Sequence, residues 1–129
     1  MEKMKMVFVS VPMSGKDEAL IKRSVQIAKR AYLRHAGLKA KDVEFYDNFS
    51  GVKDLERENN VSIEEADAIL HKSVCYLGLA IQAISACDVA VFGTGWKEAK
   101  GCCIEHTVCE LYGVPIDDLE TRKRVKIEK

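Results

Sequence analysis

The sequence predicts an α/β fold: a three-layer α/β/α sandwich around a parallel sheet of four or five strands, in a single domain spanning residues 1–129. Three observations carry this expectation. Short runs rich in β-branched residues, KMVFVSV at 5–11 and DVAVF at 88–92, alternate with longer stretches of helical period. The runs are largely apolar on both faces, as strands covered on both sides by helices are. Each run leads into a turn containing glycine, PMSG at 12–15 and GTGWKEAKG at 93–101, where ligands bind in sheets of this kind.

Each element follows in order. From Asp17 to about His35, Leu20, Ile21, Ser24, Ile27, Ala28, Ala31 and Tyr32 recur at helical spacing, and Gly37 stands where a helix stops. Residues 42–47 (DVEFYD) alternate as a second strand, and 48–60 read as a loop. Ser62 and Glu65 form a capping box that opens a helix running to about Ala86, with a break expected near Ser73. Residues 88–92 are the third strand, 101–112 a helix ended by Gly113, and Val114-Pro115-Ile116 the start of a fourth strand. The tail, ETRKRVKIEK, is read as a charged edge strand or a frayed end. Right-handed crossovers between such strands give a flavodoxin/Rossmann-like arrangement.

Composition narrows the function. Twenty basic and twenty acidic residues cancel, so no overall field draws the chain to nucleic acid or an anionic membrane. No run approaches the roughly 18 apolar residues of a membrane helix. The N-terminus enters a strand with no signal-peptide pattern, so the cytoplasm is the expected location. Five cysteines without a CxxC pair are not a disulfide framework. Cys102, His106 and Cys109 fall at i, i+4 and i+7, but one helix supplies three ligands at most, and small half-buried cysteines are ordinary packing. Neither metal nor cofactor is expected.

Two motifs invite chemical readings. Met13-Ser14-Gly15-Lys16 looks like the end of a phosphate-binding P-loop, yet that pattern needs Gly where Ser10 stands and Ser or Thr where Asp17 stands. Pro12 also removes an amide donor. The second motif is the 101–112 helix. Taking Ile104, Val108 and Leu111 as its buried face puts Glu105 at the border of that face, in the first turn, beside Cys102, Cys109 and Tyr112. A first-turn carboxylate is either a charge opposing the helix dipole or a nucleophile aimed into the cleft.

VFVSVPMSG at the first strand and CDVAVFGTGWKEAKGCCIEHTVCELYGVPI at 87–116 resemble the nucleoside 2-deoxyribosyltransferase-like superfamily, in particular its small bacterial and phage branch. The match covers roughly residues 5–16 and 86–116. The resemblance implies that Glu105 attacks the anomeric carbon of a nucleoside or nucleoside 5′-monophosphate and expels the base, the glycosyl ester then passing to water or another base. It implies that Phe8, Ser10, Pro12, Met13 and Gly15 from the first turn, and Gly93, Trp96, Lys100 and Gly101 from the second, surround the substrate, with Gly101 and the helix amides at the sugar 5′ end. Two positions depart from the family pattern: Phe8 stands where a Tyr commonly touches the nucleophile, and Ala99 where an Asp or Ser contacts the sugar. The acid for the leaving base is open among Asp47, Asp67, Asp88 and His71. The rival reading is a nucleotide-binding or sensing protein with a weak catalytic site.

The remaining side chains have plainer readings. Trp96 is read as a lid or interface aromatic, with base stacking the lesser alternative. Lys16, Lys100, His35 and His106 read as surface residues, and Tyr76 and Tyr112 as packing at a helix interface. The helix at 63–86 carries more apolar residues than one buried face uses, so a homodimer or higher homo-oligomer through that helix is expected.

Overall fold

The computed structural model describes residues 4–13, 16–48 and 72–121. Four strands form one parallel sheet: β1 (Lys5–Ser10), β2 (Val43–Asp47), β3 (Val89–Phe92) and β4 (Ile116–Asp118), in the order β2-β1-β3-β4. The register pairs Val9 with Asp47 on one side of β1 and Ser10 with Phe92 on the other. Among the described residues three α-helices connect the strands: α1 (Glu18–Ala36), α2 (Lys72–Ser85) and α3 (Lys100–Tyr112). The chain runs outward from β1 to β2, then returns across β1 to β3. Right-handed crossovers therefore put α1 on one face and α2 and α3 on the other, giving the expected three layers.

Alternation along β1 feeds both layers. Val7, Val9 and Val11 pack with Ile21, Val25, Ala28 and Tyr32 of α1, while Phe8 joins Ala80, Ile84, Phe92, Cys102 and Cys109 on the opposite side. Helix α1 is fixed at both ends. Asp17 Oδ1 accepts the Leu20 amide at 2.9 Å, and Gly37, at φ +69°, donates its N–H to Leu33 O. The residue that spoils the P-loop pattern is thus the N-cap of α1, already engaged with the amide a phosphate would seek.

One boundary differs from expectation. Strand β4 begins at Ile116 rather than Val114. Pro115 has no N–H to give, and it enters the sheet through its carbonyl, which accepts the Ala90 amide at 2.9 Å. Helix α2 is continuous from Lys72, where the described residues resume, through Ser73 to Ser85, and the residues before Lys72 lie outside the description. The capping box at Ser62–Glu65, Asp67, His71 and the tail beyond 121 lie outside the described residues. No helix among those described is long and apolar enough to cross a membrane.

Candidate functional site

The strand order reverses at the β1–β3 boundary, so the turns after these strands diverge to helices on opposite faces at the carboxyl end of the sheet, the place where ligands bind in sheets of this kind. An open cavity lined by Met4, Lys5, Tyr32, His35, Asp88 and Pro115 lies instead at the amino end. The turns approach closely at the carboxyl end. Gly93 N–H donates to Ser10 O at 2.9 Å, and a Cβ on Gly93 would lie 3.0 Å from Val11 Cγ1. A Cβ on Gly95 would lie 3.6 Å from Pro12 Cγ, and Gly95 itself takes φ +86°. Asn48 ties the first turn to the end of β2, its Nδ2 donating to Val11 O at 3.0 Å.

Helix α3 follows the second turn, and its buried face is not the aliphatic one. Ile104 and Leu111 are exposed and Val108 is half-buried, whereas Cys102, Glu105 and Cys109 face the sheet. The helix starts at Lys100, so Glu105 lies in its second turn and the first turn holds no acid. The dipole reading of Glu105 is therefore set aside: the amides that would hold a first-turn carboxylate are a turn away.

What holds Glu105 instead is β1. The residue is 2 % exposed, and Ser10 Oγ donates to its Oε1 at 2.6 Å, a length typical of a hydroxyl bonded to a carboxylate. Ser10 is itself fully buried and lies 3.0 Å from Cys102 Sγ. Burial pushes the Glu105 carboxyl up to about 7, against a smaller downward pull from the Ser10 hydroxyl. Burial likewise pushes the Cys102 thiol up to about 12 and the Cys109 thiol up to about 11, so both stay protonated near neutrality. The result is a buried carboxyl that titrates close to physiological pH and is about half ionised there.

The other expected site residues divide. Ser10, Glu105, Pro12 and Gly93 lie at the carboxyl end of the sheet, and Phe8, on the same face of β1 two residues before Ser10, is core. Met13 packs against the α1 layer, Lys100 is exposed and Gly101 half-buried; Gly15 lies outside the described residues. Trp96 is a packed core residue. Its indole stacks on His106 at 4.1 Å and 10°, touches Phe92 at 5.6 Å, and donates Nε1–H to Asp118 Oδ1 at 3.1 Å. His106, read from sequence as a surface residue, is half-buried by that stack and bonds Glu110 at 3.1 Å.

Two further residues brace the second turn and escaped sequence reasoning. Glu120 accepts the Gly95 amide, and Asp118 accepts the amides of Glu120 and Thr121 besides the indole. These bonds outweigh burial and hold the Asp118 carboxyl below its usual value. The signal was available: Asp118 before Leu119, with Thr121 three residues on, is an N-cap pattern.

Of the acids considered for the leaving base, Asp88 is at the wrong end of the sheet, where its Oδ2 accepts the Met6 amide ahead of β3. Asp47, closing β2, is at the right end. Among the described residues no three metal-ligating side chains converge. Comparison with protein-family models, with curated proteins and with solved structures finds no match to this chain.

Proposed function

We propose that the protein cleaves or transfers the N-glycosidic bond of a nucleoside or nucleoside 5′-monophosphate, with Glu105 as nucleophile. The observation that carries this reading is a carboxyl, 2 % exposed, at the switch point of a parallel sheet, held by a strand hydroxyl at 2.6 Å. A Glu105 Oε attacks the anomeric carbon, the C–N bond breaks with its electron pair going to the base, and a proton reaches the base from an acid, for which Asp47 is the candidate within the described residues. Water or a second base then takes the sugar from the ester. The hydroxyl absent from Phe8 is supplied at the carboxyl by Ser10, which steadies the negative charge and the rotamer. Family resemblance of the two turn motifs supports the choice of substrate.

A second reading, a nucleotide-binding or sensing protein that turns over weakly, is favoured by the burial of Glu105. At 2 % exposure the carboxyl has little free face for a sugar carbon. Incubation with a panel of deoxynucleosides and their 5′-monophosphates separates the two: the enzyme releases free base, and the binding protein shows ligand-dependent melting shifts alone. The expected location remains the cytoplasm. The same reading includes a homodimer or higher homo-oligomer, supported by Val74 and Leu79 of α2, both exposed on that helix. Sedimentation as a monomer at micromolar concentration removes that part of the proposal.

A further inference from the structure

Ser10 Oγ sits between two groups, 2.6 Å from Glu105 Oε1 and 3.0 Å from Cys102 Sγ. A serine hydroxyl has one proton and cannot give it to both. The shorter contact, to a carboxyl oxygen, takes it. A lone pair of Oγ then faces the sulfur, and a protonated thiol offers that lone pair its only proton. Cys102 and Glu105 are one turn apart on the buried face of α3, so a single strand residue meets both.

We propose that Cys102 is a positioning residue: its thiol donates to Ser10 Oγ and so commits the serine proton to Glu105, giving a directed chain from Cys102 Sγ–H through Ser10 Oγ–H to Glu105 Oε1. The inference rests on Glu105 being the reacting carboxylate, but the chain can be tested without turnover. A hydroxyl that accepts a hydrogen bond is a better donor, so the chain favours the ionised carboxylate and resists its desolvation. The other titratable group that senses the Glu105 charge is the Cys109 thiol on the same helix. It touches neither proton in the chain.

The experiment is a pH titration of the Glu105 carboxyl by carbon NMR in protein labelled at the glutamate side-chain carboxyl, assigned with Glu105→Gln. Cys102→Ala is expected to raise the midpoint so that proton affinity grows ~3-fold or more, the size of a lost supporting hydrogen bond to a charged network. Cys102→Ser restores a donor and is expected to titrate near wild type; Ser10→Ala should raise the midpoint at least as far as Cys102→Ala. Equal midpoints in wild type and Cys102→Ala, or equal displacement in the Ala and Ser variants, overturn the chain. Should Cys102→Ala fail to fold, the infrared S–H stretch decides. In wild type the Cys102 band, assigned by its loss in Cys102→Ser, is expected at the lowered frequency of a donating thiol and to move back in Ser10→Ala. A free-thiol band in wild type overturns the proposal. Base release is read separately: its absence from wild type removes the glycosidase reading, while the titration still decides the chain.

Discussion

Against α1, the sheet buries a cluster of Val7, Val9, Val11, Val91, Ile21 and Val25; against α2 and α3, Phe8 and Phe92 share the interior with Ser10, Cys102, Cys109 and Glu105. The first layer follows the general rule for stability, aliphatic groups interdigitating behind a helix capped at both ends. The second breaks it, turning Ile104 and Leu111 outward while a carboxyl goes in. The α1 side is not wholly apolar, since it buries Asp117 at 8 % exposure and the Tyr32 hydroxyl. What sets Glu105 apart is deeper burial, at 2 %, and a place at the switch point, where a sheet of this kind serves a ligand besides the fold.

Four substitutions or conditions test that contrast, in falling order of effect. Glu105→Gln keeps the side-chain volume and removes the charge. Base release should fall about 10³-fold, which corresponds to about 4 kcal/mol of transition-state stabilisation. A folded variant retaining most of the wild-type rate would falsify the nucleophile assignment.

The next effect is on stability against pH. The Glu105 carboxyl titrates at about 7 folded against 4.5 unexposed to the fold, so the folded state holds the proton more tightly. Below pH 4.5 both states are protonated and burial costs nothing through this group. Between pH 4.5 and 7 stability falls, by about 3 kcal/mol in all at 1.36 kcal/mol per unit. Base release should run the other way, rising through pH 7 as the carboxylate forms. Denaturant melts from pH 4.5 to 8 should show this decline in wild type and lose it in Glu105→Gln, which should be the more stable of the two at pH 8. No such difference at pH 8 means the carboxyl is better solvated than its position implies.

Gly93→Ala drives a methyl to 3.0 Å from Val11 Cγ1 at the seam between the layers, and overpacking there should cost about 1–3 kcal/mol. Since Gly93 adjoins Ser10, base release should drop as well; loss of stability alone would mean that the turn is fold and not site. Asp17→Ala, far out on the α1 side, removes an N-cap and should cost about 1 kcal/mol with base release unchanged. A change in base release would show that the two layers are less separate than the packing suggests.

These expectations also show what the sequence could reveal. Strand β1, the ends of α1 at Asp17 and Gly37 and the end of α3 at Gly113 are legible because they depend on a few neighbouring residues: β-branched runs and glycines at positive φ. The orientation of α3 is not, because Ile104, Val108 and Leu111 outrank Cys102 and Cys109 on any hydropathy ordering, and cysteines are equally at home in a core. The sequence points to Glu105 but puts it in the first turn of α3, whereas the helix starts at Lys100 and the residue lies a turn further in. Its actual partner, Ser10, is 95 residues away, and no reading of one helix contains it. Trp96 and His106 were misjudged for the same cause: each was weighed singly, and they bury each other.

That separation of 95 residues also sets an order of events as the chain folds. β1 is the first strand made and lies inside the sheet, yet one of its neighbours, β3, follows some 80 residues later. Until β3 arrives, one edge of β1 stands open, a hazard for pairing with other chains. Closing so long a loop has an entropic cost before any contact offsets it, so parallel sheets of this kind form slowly. The Ser10–Glu105 bond waits longer still, since α3 must dock after β3. A chain halted on the ribosome before residue 105 has an α1 that can form and no site at all, and competence to bind substrate would therefore report that folding is complete.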